Sequence, residues 1–427
     1  MDHPTLDSTL QRLHARIDWE KRGRHDMRVD VAPARDLLQR LGSPHRAWRA
    51  IHVAGTKGKG SVAAGIAAGL EASGLRTGLY TSPHVERIHE RVRMSFAPIE
   101  DAPLASALTR TLDVREQAEV EGTPAGGASW FDLVTCAAFL AFAEANVDVA
   151  VVEVGLGGRL DSTNALIPEL CVITNIDLEH TDVLGSTRAA IAGEKAGILK
   201  AGVDLVHGVT AVAGDDPRKA VEARAAELGI QVLHVPMNGT MHQDNARLAR
   251  ACLDRLGALG WTGSNGRPIT SNALTDEVLA AHRLPGRAEF RSLAGVPVVL
   301  DGAHVPSSLA RLMLELRGRA TLPGTPQVVL AVARDKDASG LLKAMGTAVD
   351  RVFCTSLDSG IHLGADRLTD LAREARYDGV EEADPVRAVV RACDRAAARG
   401  GWVLVTGSLY LVGAVRAALD PPQPSSC

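Results

Sequence analysis

Between Ile51 and Ser61 the chain reads Ile-His-Val-Ala-Gly-Thr-Lys-Gly-Lys-Gly-Ser: an apolar run breaks into glycines with lysines among them, then resumes in small residues. Glycine lets the backbone turn tightly and bring N–H groups up to an anion. A lysine adds a point charge, and a helix starting there adds its positive N-terminus. Thr56, Lys57, Gly58, Lys59, Gly60 and Ser61 therefore read as a phosphate cradle for a nucleoside triphosphate. The match to G-x-x-x-x-G-K-[ST] is incomplete, because Val53 stands where the first glycine belongs and Gly60, not a hydroxyl, follows Lys59. Ser61 lies one helical residue further on, about 100° around the axis. A different residue is expected to hold the magnesium that this hydroxyl normally serves. The plainer alternative is a glycine-rich strand-to-helix turn with an exposed lysine.

Further chemistry follows. Val149-Ala-Val-Val-Glu153 is an apolar strand ending in a carboxylate, and Glu153 at the carboxyl edge of a parallel strand would face the crevice where open α/β sheets bind ligands. It reads either as a metal-side acid or as a solvated strand-end acid. Gly155-x-Gly157 is followed by Leu160 where a dinucleotide fingerprint needs glycine, so that reading fails. His180 follows another apolar run and is open to a structural or a ligand role. Lys195 sits among alanines and glycines, where partial desolvation lowers an amine pKa and permits Schiff-base or carbamate chemistry.

These groups need a scaffold, and short β-branched runs alternating with alanine-rich stretches specify α/β. Strands are expected at 52–54, 147–154, 171–175, 205–207, 296–301, 328–333, 352–355 and 402–406, with helices at 61–73, 130–145, 217–228, 307–316 and 385–399. The 427 residues exceed one core, and Pro285-Gly286 marks a boundary that gives domains 1–283 and 284–427. Segments 121–128 and 260–271 read as surface loops and the Pro-Pro-Gln-Pro-Ser-Ser tail as frayed. A net charge of −4 with 46% apolar residues argues against disorder and against a general nucleic-acid or anionic-membrane binder. The six cysteines are scattered singly, which suits reduced thiols. The amino-terminal residues lack a signal-peptide pattern and no apolar run is long enough to span a bilayer, so a cytoplasmic protein is expected. His84 and His89 stand five apart, off the i, i+4 spacing of a helical metal pair, and read as loop or surface residues.

Taken together, Gly-Thr-Lys-Gly-Lys-Gly-Ser, Thr81-Ser-Pro-His84, Glu153-Val-Gly-Leu-Gly-Gly-Arg-Leu-Asp-Ser-Thr-Asn164, His180-Thr and Glu194-Lys-Ala-Gly-Ile198 resemble the folylpolyglutamate synthase and dihydrofolate synthase family of the Mur ligase superfamily. His242-Gln-Asp-Asn245, Leu284-Pro-Gly-Arg287, Asp301-Gly-Ala-His304, Asp335-Lys-Asp337 and Thr406-Gly-Ser-Leu-Tyr-Leu-Val-Gly413 continue the family order. The resemblance implies a P-loop NTPase-like Mur ligase central domain with a smaller Rossmann-like α/β carboxyl-terminal domain. It also implies an ATP-dependent amide ligase that adds L-glutamate to dihydropteroate or folate through an acyl phosphate.

By motif, the resemblance assigns one magnesium to Ser82 and Glu153 and a second to His180, and makes Lys195 the lysine that is carbamylated in this superfamily. Asn245 would face adenine, Arg287 the phosphates, and Asp301 and His304 the nucleotide from the second domain, with closure completing the site. Lys59, Lys195 and His180 carry the chemistry; Phe131, Asp132, Leu160, Asp161 and Ser162 would meet the pterin or folate. The partners implied are these small molecules alone, with the protein a monomer. Three positions depart from the pattern: Asp132 is one methylene shorter than the usual acid, Glu179 stands where Asp is common, and Val305 where Asn is usual. Rival readings are a Mur-type ligase with another carboxylate acceptor and a P-loop ATPase that drives a partner. Ser82→Ala is expected to weaken the Mg²⁺ dependence of turnover more than Ser61→Ala; equal losses would restore the ordinary phosphate-loop assignment.

Overall fold

A computed structural model describes residues 5–16, 30–357 and 360–420. The chain divides between His282 and Arg283 into two units.

The first unit is built on eight strands: β1 (Arg49–Ala54), β2 (Thr77–Tyr80), β3 (Val92–Met94), β4 (Ala97–Pro98), β5 (Val149–Glu153), β6 (Leu170–Ile173), β7 (Asp204–His207) and β8 (Val232–His234). Their order across the sheet is β4-β3-β2-β5-β1-β6-β7-β8, parallel from β2 to β8, with β3 and β4 antiparallel at one edge. The register pairs Tyr80 with Val152, Val53 with Glu153 and Ala54 with Ile173. The ends of β2, β5, β1 and β6 therefore lie side by side along one edge, where Glu153 closes β5 and the segments leaving β2, β1 and β6 carry Ser82, the glycine loop and His180.

Helices cover both faces, which is why the central strands β1, β5 and β6 are buried along almost their whole length. The helix Lys59–Ala72 is buried from Val62 to Leu70 and packs against β2 and β5 on one side and Met241–Ala258 on the other. The helix Trp130–Glu144 starts at a capping box in which Ser129 and Asp132 exchange hydrogen bonds. Its Phe139 and Phe142 meet Trp48 edge-on, at centroid distances of 5.4 and 5.7 Å.

The second unit carries β9 (Glu289–Leu293), β10 (Val296–Leu300), β11 (Pro326–Leu330), β12 (Arg351–Cys354), β13 (Gly379–Glu381) and β14 (Trp402–Thr406). The order is β13-β12-β11-β14-β10-β9, with only β9 antiparallel. Helices Pro306–Leu316, Ala338–Met345, Ala365–Glu374 and Pro385–Arg399 flank this sheet.

All eight expected strands and five expected helices occur, most with ends shifted by a few residues. Strands β2, β3, β4, β8, β9 and β13 are additions, as are several helices, Asp101–Glu121 and Met241–Ala258 the longest among them. His89 corrects the surface reading: it is buried, with Nε2 2.8 Å from Asp101. Cys136, Cys171, Cys252, Cys354 and Cys393 are buried free thiols. The Pro-Pro-Gln-Pro-Ser-Ser tail lies outside the described residues. Among the described residues no helix is long and apolar enough to cross a membrane.

Candidate active site

The glycine loop joins β1 to the helix Lys59–Ala72. Gly58 caps that helix with φ of 78°, in the left-handed region, and a Cβ there would come within 2.4 Å of the Asn245 side-chain oxygen. The helical ladder opens with Val62 N–H donating to Gly58 carbonyl. Lys59, Gly60 and Ser61 therefore form the first turn, whose N–H groups have no carbonyl one turn back within the helix, the arrangement that lets a helix N-terminus take an anion.

Thr56 and Lys57 do something else. The Thr56 N–H donates to the Asn175 carbonyl (2.8 Å) and the Lys57 N–H to Asn175 Oδ1 (2.9 Å). Asn175 Nδ2 returns a bond to the Lys57 carbonyl at 2.8 Å, and Thr174 Oγ1 donates to the same carbonyl at 2.7 Å. The Lys57 ammonium pairs with Glu179. These two residues thus fasten the loop to the segment after β6, and their N–H groups are already used.

Glu153 is buried at the end of β5 and accepts from the Ser82 N–H at 3.1 Å, so the two residues proposed to share a metal are neighbours. A serine hydroxyl and one carboxylate form a hard oxygen donor set. That suits Mg²⁺, which keeps several waters and takes few protein ligands alongside phosphate oxygens. Among the described residues there is no group of three or more His, Cys, Asp or Glu arranged for a metal. His180 has φ of 53° and caps the short helix Thr181–Leu184, with Nε2 3.9 Å from Glu179 Oε1.

Lys195, on the helix Arg188–Ala196, is buried and donates to the Gly55 carbonyl at 2.8 Å. Burial, reinforced by the nearby Lys59 and Lys57 charges and opposed by Glu179, brings its pKa down to about 7. A substantial fraction of the amine is thus unprotonated near neutrality, the form that reacts with carbon dioxide.

Of the five residues expected to meet the pterin or folate, Phe131 and Leu160 are half-buried and keep apolar surface open. Phe131 lies against Gly155, where a Cβ would come within 2.3 Å of Phe131 Cζ. The other three turn inward. Asp132 accepts from Ser129 N–H (2.8 Å), Ser129 Oγ (2.7 Å) and Ser162 Oγ (2.6 Å), and burial raises its pKa. Asp161 accepts from Leu156 N–H (2.8 Å), Thr163 N–H (3.0 Å) and Thr163 Oγ1 (2.5 Å). The shorter acid at position 132 therefore reaches its partners within the protein.

In the second unit Asp301 is buried at the end of β10, and both its oxygens hold backbone: Oδ2 accepts from Ala288 N–H and Oδ1 from Ala303 N–H, each at 2.8 Å. Burial raises its pKa against the opposing charge of Arg287. Asp301 thus fixes the turn that carries Arg287. His304 Nδ1 bonds the Gly302 carbonyl at 2.8 Å.

Sequence reasoning missed Thr174, Asn175 and the Lys57–Glu179 pair. The available signal is Asn175-Ile-Asp177 directly after an apolar strand, a polar cluster where a turn could bond the neighbouring loop.

Comparison with known proteins identifies both units. Residues 53–253 match the Mur ligase middle domain, and residues 286–409 match the Mur ligase glutamate ligase domain. The chain is 34% identical to the dihydrofolate synthase/folylpolyglutamate synthase of Mycobacterium tuberculosis, over 92% of this chain and 90% of that one. Its fold is similar to that of Escherichia coli FolC in complex with DHPP and ADP, with a TM-score of 0.80, 26% identity and 97% of each chain covered. It is also similar to the bifunctional folylpolyglutamate synthase/dihydrofolate synthase of Yersinia pestis complexed with AMPPNP and Mn ion. There the TM-score is 0.77 at 28% identity, covering 97% of this chain and 98% of that one.

The buried amine makes a pH-dependent contribution to stability. Unfolded, Lys195 keeps its proton up to the ordinary 10.5; folded, only to about 7. Between those values the unfolded state binds more protons, so this group makes stability rise with pH by at most about 1.4 kcal/mol per unit. Urea unfolding across that range in carbon-dioxide-free buffer should show the wild type gaining on Lys195→Met as pH rises. Parallel pH curves would show that the ammonium is well solvated in the fold.

Proposed function

The chain belongs to the folylpolyglutamate synthase/dihydrofolate synthase family of Mur ligases, and from that premise we propose that it is an ATP-dependent ligase that joins L-glutamate to dihydropteroate, to reduced folates, or to both. The observation that carries the reading is the shared strand edge of the first unit, where the open first turn at Lys59–Ser61 lies beside the Ser82–Glu153 contact.

A carboxylate is a poor electrophile. Its oxygen attacks the γ-phosphorus of ATP, the bond to the bridging oxygen breaks, and ADP leaves. The glutamate amine then attacks the acyl carbon of the mixed anhydride. The tetrahedral intermediate collapses with loss of phosphate, and the amine gives its proton to solvent. Negative charge builds on oxygen in both steps, so alignment and fixed positive charge supply most of the acceleration. Here Lys59 and the first-turn N–H groups of its helix would hold the transferring phosphoryl group. Ser82 and Glu153 would hold Mg²⁺, with His180 serving a second ion, and the metal supplies further neutralisation of phosphate charge when bound.

Lys195, partly neutral near pH 7, is chemically suited to form the carbamate that would add a carboxylate beside the metals. Asn245 against Gly58 would border the base, and Arg287, held by the Asp301 turn, would serve as a phosphate ligand. Phe131 and Leu160 would present the apolar wall for the acceptor, with Asp132, Asp161 and Ser162 holding that wall in place. The protein is proposed to act as a cytoplasmic monomer whose partners are its small-molecule substrates.

ADP release measured with dihydropteroate and with tetrahydrofolate, each with and without glutamate, tests the reading. Release that requires both glutamate and an acceptor is expected. Turnover indifferent to glutamate and to both acceptors would favour the ATPase alternative.

A further inference from the structure

The 3-10 turn Ser162–Ala165 presents three consecutive side chains to three different parts of the first unit. Ser162 Oγ donates to Asp132 Oδ1 on the helix that carries Phe131, at 2.6 Å. Thr163 Oγ1 is 2.8 Å from Nε2 of His52 on β1. Asn164 Nδ2 donates to the carbonyls of Arg159 (2.8 Å) and Gly197 (3.2 Å), the latter two residues past Lys195. All three side chains are buried, and Asp161 just before them holds the Leu156 N–H.

The proton count fixes a direction at Thr163. Its single hydroxyl proton goes to Asp161 Oδ1, which also accepts the Thr163 N–H. The threonine oxygen must then accept from His52, so the imidazole carries its proton on Nε2. That leaves Nδ1 bare, and it is buried with no partner among the described residues. Burial and the Lys200 charge keep the ring neutral, with a pKa near 3. The other positions of β1 around His52 are the apolar Ala50, Ile51, Val53 and Ala54. An apolar side chain of similar shape would avoid stranding Nδ1, so what the imidazole contributes here is the Nε2–H bond.

We propose that Thr163, held by His52, is a positioning residue that pins the 155–162 loop to the strand feeding the phosphate loop, and so sets the acceptor wall relative to the nucleotide. This rests on the assignment of that loop to the acceptor made above. The phosphate loop has its own fastening through Thr174 and Asn175. Loss of the pin is therefore felt on the acceptor side and not in nucleotide affinity.

The test compares Thr163→Val, which removes the hydroxyl at nearly constant shape, with Thr163→Ser, which keeps it. Thr163→Val should raise the acceptor KM on the order of tenfold while the Kd for MgADP, measured by calorimetry, stays within about twofold; Thr163→Ser should resemble the wild type. Nitrogen NMR of the wild-type protein should show His52 protonated at Nε2 and bare at Nδ1, a reading that stands even if Thr163→Val does not fold. Equal behaviour of the two variants, an unchanged acceptor KM, a parallel loss of MgADP affinity, or a proton on Nδ1 would each overturn the proposal. If the wild type shows no glutamate-dependent turnover, the ligase reading fails. The tautomer and the MgADP affinities are still measurable in that event and bear on the pin alone.

Discussion

The nucleotide end of the first unit depends on one side-chain amide. Asn175 grips the backbone of Lys57 from both sides, accepting its N–H and donating to its carbonyl, while the Asn175 carbonyl takes the N–H of Thr56. A glycine-rich loop has many accessible conformations, and ordering it against phosphate would otherwise cost binding free energy. The clamp orders it beforehand. It also ties the loop to the segment that ends at His180, so groups from β1 and β6 are set by one set of bonds. The Lys57–Glu179 ion pair reinforces the same junction.

The parallel sheet explains why the remaining groups converge. Strands β2, β5, β1 and β6 end on one edge in adjacent positions, and each ends in or is followed by one chemical element: Ser82, Glu153, the glycine loop and His180. Within each unit, buried polar residues at other motif positions hold neighbouring segments in place. Asp132, Asp161, Ser162 and Asp301 are acids or hydroxyls at motif positions, yet each spends its polar atoms on neighbouring residues of the chain. In the proposed function their contribution to ligand binding would be the placement of Phe131, Leu160 and Arg287.

Much of this was legible in the sequence, and the boundary of legibility has physical causes. The phosphate loop could be read because its chemistry is local: glycines, lysine and a helix start fall within a few residues. The buried central strands could be read from unbroken apolar runs. Strand β2 could not, since Thr77-Gly-Leu-Tyr is short and neither alternates nor stays apolar. The helix Asp101–Glu121 is interleaved with threonine and charge, although Leu104, Leu108, Leu112 and Arg115 form a buried stripe at helical spacing. Motif position marked Asp132 and Asp161 as belonging to the site, but only burial and partners showed that they face inward. The Asn175 clamp joins residues more than a hundred positions apart, a relation that no local pattern encodes.

The central claim is that the Asn175 clamp presets the phosphate loop for a nucleotide. Calorimetric titration of Asn175→Ala with MgADP, alongside the wild type and with folding verified by circular dichroism, tests it most directly. The account predicts a loss of affinity of about tenfold or more, the cost of two broken half-buried hydrogen bonds plus ordering of the loop. A folded Asn175→Ala protein that binds MgADP as tightly as the wild type would contradict it.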